Sequence, residues 1–297
     1  MQKLCAWFRN GFEGDPISLR DWTLMRIAFA ALVLNTFLDW HPYAYAAQPA
    51  PVGIARWFNL TWLHQDGVYQ GMLALASVCC AAYVFGIGLR IVLPLLTAAQ
   101  IVVYTYQNSQ GFTHHGVQLI SMVLLFQTIV VWWKRGESPE KLRAWLWFYS
   151  RGIILFSYVA SALTKIINTK GLWVWRSKYL CIEIIKTRRY DYYKDLNPEL
   201  LGDPASALWL MHYPVIAQLM FGAGFFLEVF AFLGLRDRCW SALVGLSLIA
   251  MHQGITWLMG LPFENHQWLD LIFLINIPGW LLLLWAKSQA PQFPASI

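Results

Sequence analysis

Charge is what this chain has little of. Asp, Glu, Lys and Arg make up 13% of its 297 residues, about half the share of an ordinary soluble domain. A globule of this length needs more charge than that to keep its surface in water, so composition argues against a soluble enzyme. The five cysteines form no CxxC and no HExxH is present, so redox and zinc-peptidase chemistry have no motif to stand on and no metal is expected. A Ser/Gly linker, a low-complexity tract and an internal repeat are also missing. One domain over 1–297 is expected.

What fills the chain instead is apolar and aromatic. Hydrophobic residues are 58% of the total, and there are 17 Trp. A helix needs about 20 apolar residues to cross roughly 30 Å of hydrocarbon. Eight runs qualify, near 22–40, 67–85, 88–106, 115–133, 145–167, 214–235, 239–259 and 268–286. Trp22, Trp40, Trp132, Trp133, Trp145, Trp240, Trp257, Trp268 and Trp285 stand at their ends, as indoles do at the two faces of a bilayer. The expectation is an all-α membrane protein, a polytopic bundle of about eight transmembrane helices with the lipid bilayer as its surroundings. Residues 1–20, which mix Trp7, Phe8 and Phe12 with Lys3 and Arg9, read as a short interfacial segment.

Basic residues set the expected orientation. With the N-terminus inside, Arg20, Arg90, Lys134, Arg135, Lys141, Arg143, Arg236, Arg238 and Lys287 all fall on the inner side, whereas the short outer loops carry only Arg56. Both termini are then cytoplasmic, in a bacterial inner membrane. The long segment 168–213 holds both signs of charge and reads as a small outer cap between the fifth and sixth spans. The net charge of +6 follows from this topology and implies no nucleic-acid partner.

Polar residues inside apolar spans are costly and mark sites. Tyr158, Ser161 and Lys165 lie at i, i+3 and i+7, on one helical face. This stripe either faces the protein interior or leads to a lysine that snorkels to the interface as an anchor. All histidines fall on the outer side, among them His114, His115 and His252. His252 is either a hydrogen-bonded structural residue or part of a site, and Glu264-Asn265-His266 reads as a solvated turn. Arg26, Arg151 and Glu228 fall in the inner third. They read as an ion network holding helices in register, with a proton pathway as the sharper alternative. Depth and orientation together predict that Lys165, His252 and at least one of His114 or His115 line one cavity. Arg26, Arg151 and Glu228 are then a separate inner cluster.

The segment SYVASALTKIINTKGLWVWRSKYL, residues 157–180, resembles the core of the horizontally transferred transmembrane domain. That is the membrane half of vitamin K-dependent gamma-carboxylase. The positions that carry the resemblance are Tyr158, Ala160, Ser161, Lys165, Ile166, Trp173, Tyr179 and Leu180. FTHHGVQLISMVLLFQ (112–127) and LIAMHQGITWLMGLPF (248–263) are similar to two further family helices, through His115 and His252. The resemblance implies Lys165 as catalytic base, with His115 and His252 as oxyanion-stabilising partners. Tyr158, Ser161, His114 and Trp173 are then cavity residues, and a reduced, vitamin K-like quinone is the cofactor. Its implied activity is carboxylase-like modification of a secreted or periplasmic peptide. The family pattern has a second lysine where Thr164 stands, and its large lumenal domain has no counterpart among these residues. A second expectation is therefore a non-catalytic maturation factor whose cap docks a secreted protein.

Overall fold

The computed structural model describes residues 17–39, 53–58, 60–109, 115–198 and 202–288, and every regular element among them is helical. The interfacial reading of residues 1–20 falls largely, and that of His114 wholly, outside the described residues. The long helices are α1 (Leu19–Asp39), α2 (Asp66–Phe85), α3 (Leu89–Ser109), α4 (His115–Trp133) and α5 (Pro139–Thr169). Neighbours in sequence pack as neighbours in space, α1 on α2, α3 on α4 and α4 on α5, as consecutive helices usually do.

Helix ends are set by local chemistry. Ser138 accepts a hydrogen bond from the Lys141 backbone N–H at 3.4 Å, and Pro139 occupies the first turn of α5, where its missing N–H costs nothing. At the far end Lys170 and Gly171 turn left-handed, with φ of 53° and 80°, and stop the helix. Its 31 residues rise about 46 Å, well beyond the hydrocarbon thickness. The Lys165 end therefore lies near or past one face. Asp237 caps the later long helix Arg238–Met259 in the same way, accepting from the Trp240 N–H at 2.9 Å.

The segment 168–213 folds into α6 (Trp173–Arg176), α7 (Leu180–Asp195) and α8 (Ala205–His212). Cys181, Ile184, Ala207, Leu210 and Ala217 bury one another there, with Leu258 and Met259 packed against them. These last two end helix α10 (Arg238–Met259), so the cap sits on the end of the bundle where α5 and α10 finish.

Two of the eight expected spans are not continuous helices. Helix α9 (Pro214–Val229) meets α8 at a bend of 105° and gives way to a tighter helical turn over Ala231–Leu235. There Leu155 packs close against Gly234, within 3.0 Å of where a Cβ would be. The last run is divided into α11 (Glu264–Leu269), a wide π-type turn (Asp270–Ile275) and α12 (Ile277–Ser288). Asn276 breaks it with a left-handed φ of 54°. Among the described residues six helices are long and apolar enough to cross a membrane, or up to seven if α8 and α9 count as one bent span.

Polarity is inverted relative to a soluble protein. Val78, Phe85, Ile91, Ile167 and Leu246 stand exposed, while Asp21, Arg26, Arg151, Glu228, Arg238 and Asp270 are buried. Phe29 anchors the core, edge-on to Phe273 at 5.1 Å and to Tyr83 at 6.2 Å. Some buried polar groups pair across helices: Tyr83 donates its hydroxyl to Gln127, which donates to Ser150, both at 2.9 Å.

Candidate functional site

Helices α4, α5, α9, α10 and α11 enclose a cavity of about 740 Å³ whose walls include His115, Ser161, Lys165, Glu228, His252 and His266. Lys165, His252 and His115 thus meet at one place although they come from three helices. The reason lies in the chain path: α4 begins, and α5 and α10 end, at the same end of the bundle. Gly116 permits the close approach of α11, because a Cβ at that position would lie 2.6 Å from the Asn265 Cβ.

Lys165 has a partner that the sequence reading assigned elsewhere. Its Nζ donates to Oε1 of Glu228 at 2.6 Å and also reaches the other carboxylate oxygen. Ser161 lines the same cavity as this carboxylate. Glu228 is therefore not a member of an inner network with Arg26 and Arg151. The expectation extended a straight span to residue 235, which put Glu228 deep. Instead α9 stops at Val229 and the following turn takes up the depth.

The two arginines make separate contacts. Arg26 donates to the Tyr83 carbonyl at 3.0 Å and to Thr23 at 3.3 Å, closing the C-terminal turn of α2. The guanidinium of Arg151 lies 3.9 Å from the Trp147 ring centroid. The charged network at that end is instead Asp21 with Arg238, 3.1 Å apart and buried, tying α1 to the start of α10.

A second polar group borders the cavity. Tyr158 donates its hydroxyl to Oδ2 of Asp270 at 2.8 Å, and His252 Nε2 lies 2.9 Å from the same hydroxyl. With the Tyr158 hydroxyl donating to Asp270, the matching tautomer of His252 carries its proton on Nε2 and donates to the Tyr158 oxygen. The His252 ring stacks on Phe263 at 4.7 Å, and its Nδ1 is buried without a hydrogen-bond partner. Tyr158 is thus a link in a chain as well as a lining residue.

Sequence reasoning passed over Asp270 and read His266 as part of a solvated turn. An acid inside the run WLDLIFLIN was a usable signal. His266 is no solvated turn. Its ring centroid lies 5.6 Å from that of His252, and burial, with His115 beside it, pushes it down to about 4. Trp173 does not line this cavity. It lies with its ring centroid 5.1 Å from Lys165 Nζ and stacks on Phe225 at 5.3 Å, in a neighbouring hollow of about 470 Å³. Lys165 and Glu228 line both hollows, so their ion pair stands in the wall between them. Among the described residues, no three His, Cys, Asp or Glu side chains converge to hold a metal ion.

Fold and site together define a helical protein of membrane-spanning character with a half-open, multiply titratable cavity near one end. Comparison with family models, curated proteins and solved structures finds no match to this chain.

Proposed function

We propose that the chain is an integral membrane enzyme of the gamma-carboxylase type, in which Lys165 moves protons to and from a reduced quinone while a secreted or periplasmic peptide is modified. The observation that carries this reading is the convergence of Lys165, His115 and His252 on one cavity, with the Glu228 carboxylate in contact with the amine. In this reading the cavity faces the outer side of a bacterial inner membrane and both termini are cytoplasmic.

The residues present suit such a ring. About 740 Å³ lies in the range of pockets that hold drug-sized ligands, and the stacked Phe263 and His252 offer a flat wall. When bound, a reduced quinone supplies two electrons and acidic ring hydroxyls. Lys165 is a base only while its own proton rests on Glu228, and the 2.6 Å contact is the path for that transfer. Tyr158, held by Asp270, fixes the orientation of His252. His115, exposed at the start of α4, is placed to donate to a developing negative charge.

The test uses the purified chain in nanodiscs with a reduced naphthoquinone, oxygen, labelled bicarbonate and a glutamate-containing peptide. Label enters the peptide with the parent chain and falls about a hundredfold or more in Lys165→Ala, the usual scale for losing a general base. A parent chain that neither oxidises the quinone nor labels peptide overturns the proposal.

One observation favours a second reading, a maturation factor that docks a secreted protein. Helix α7 presents Lys186, Arg189, Tyr190 and Tyr193 on its exposed surface, a composition common at recognition sites. A stoichiometric partner that stays bound in Lys165→Ala but is lost when Tyr190 and Tyr193 become Ala supports this alternative.

A further inference from the structure

A third hollow lies outside the titratable site, between α1 and the last segment of the chain. Leu24, Ala28, Ala31 and Asn35 recur at i, i+4, i+7 and i+11, so they form one stripe along α1, and all four are exposed. Trp268, Leu271 and Pro278 stand opposite, and the groove between the walls measures about 480 Å³. It exists because two alanines lower the floor. The π-type turn and left-handed Asn276 also interrupt the helix whose ridge would otherwise fill the stripe.

Its polarity is graded. Side-chain polar groups gather at one end only, from Asn35, Glu264 and Asn265; the rest is aliphatic apart from Trp268. The twelve-residue stretch from Leu24 to Asn35 rises about 16 Å, half of the roughly 30 Å hydrocarbon core. That is the depth of one leaflet. The ion pairs of the described residues leave the exposed carboxylate of Glu264 without a cation.

We propose that this groove is a binding site for an aminophospholipid of the phosphatidylethanolamine type. One acyl chain lies along the Ala28–Ala31 floor and the headgroup ammonium sits against Glu264. A primary ammonium fits because it brings a positive charge and three hydrogen-bond donors to a carboxylate and two amide oxygens. A quaternary headgroup lacks the donors, and an anionic one meets the Glu264 charge. The apolar part requires an occupant as well, since a void this large in contact with hydrocarbon forfeits dispersion contacts along both walls. The site borders the titratable cavity without belonging to it. Helix α11 turns Glu264 and Asn265 to the groove, while Phe263 and His266 line the other hollow.

The experiment is native mass spectrometry of the full chain in mild detergent, titrated separately with phosphatidylethanolamine and phosphatidylglycerol of matched acyl chains. The parent chain binds the amine lipid about tenfold more tightly, as expected for one charge-assisted contact. Glu264→Gln abolishes the preference, and Ala31→Trp, which fills the groove, weakens binding of both lipids. Ala28→Leu is the milder filling variant should the Trp chain not fold. Equal affinity for the two lipids, a preference that survives Glu264→Gln, or binding indifferent to both filling variants overturns the proposal. The last result would mean that the groove is covered by the chain itself or by a second copy.

Discussion

The Lys165 amine and the Glu228 carboxylate meet at 2.6 Å across 63 residues of sequence. The Lys165 side chain keeps 29% of its surface exposed, whereas the Glu228 side chain keeps 9%. The carboxylate is thus the partner that cannot return to water. Removing the lysine strands a buried charge; removing the glutamate leaves an amine that can still reach solvent.

An asymmetry in stability follows. Lys165→Ala lowers stability by about 2–4 kcal/mol, toward the range for breaking a buried pair. Glu228→Gln costs about 1 kcal/mol, because the amide still accepts a hydrogen bond. The double variant is more stable than Lys165→Ala alone. Thermal unfolding of the four chains in one detergent checks this, and equal losses for the two single variants would show that Glu228 is not desolvated.

Tyr158 provides a second handle. Its hydroxyl donates to Asp270 and neighbours His252, so Tyr158→Phe leaves both without that contact in a buried setting. The cost is about 1–3 kcal/mol. Asp270→Asn made in the Tyr158→Phe background restores part of the loss, since a neutral amide is cheaper to leave unpaired than a carboxylate. A double variant less stable than Tyr158→Phe would mean that Asp270 has some other donor.

These pairs also show what the sequence could disclose. Composition and run length were enough for a helical membrane protein, because every span must satisfy its own backbone in lipid. Spacing placed Tyr158, Ser161 and Lys165 on one face, and common depth brought His115 and His252 to them. Depth failed for Glu228, whose position depends on α9 ending at Val229 in a tight turn that no apolar count foretells. Asp270 went unread because hydropathy averages one acid away in a long apolar run. The division of the last run at Asn276 was hidden for a similar reason. Left-handed backbone at an asparagine is a local option that only tertiary contacts select.

Those contacts make Gly279 sensitive. An added Cβ would lie 2.7 Å from Oδ2 of Asp21 and 2.9 Å from Nη1 of Arg238, the ion pair that ties α1 to α10. Gly279→Ala therefore costs about 1–3 kcal/mol, despite improving helix propensity. Gly254, which has open space at its Cβ position, serves as the control: Gly254→Ala is neutral or stabilising by up to about 1 kcal/mol. If both variants unfold at the same temperature, the Asp21–Arg238 contact does not crowd Gly279.

His266 gives the chain a pH dependence whose sign can be worked out. Burial, with His115 alongside, holds its imidazole near 4, against about 6.5 in an unfolded chain. Between those values the unfolded chain binds a proton that the folded one refuses, so acidification favours unfolding throughout that window. Above pH 6.5 both states are neutral at this position and the contribution is flat. Below about 4 both are protonated and the loss is complete, on the order of 3 kcal/mol for a shift of this size. The midpoint of thermal unfolding therefore falls as pH is lowered from 7 to 4. His266→Gln, which cannot titrate, shows a shallower fall over the same range, and at pH 4.5 it is stabilised relative to the parent chain compared with pH 7.5. If the two chains keep parallel profiles from pH 7.5 to 4.5, His266 is not the buried neutral imidazole that its place between His115 and His252 implies.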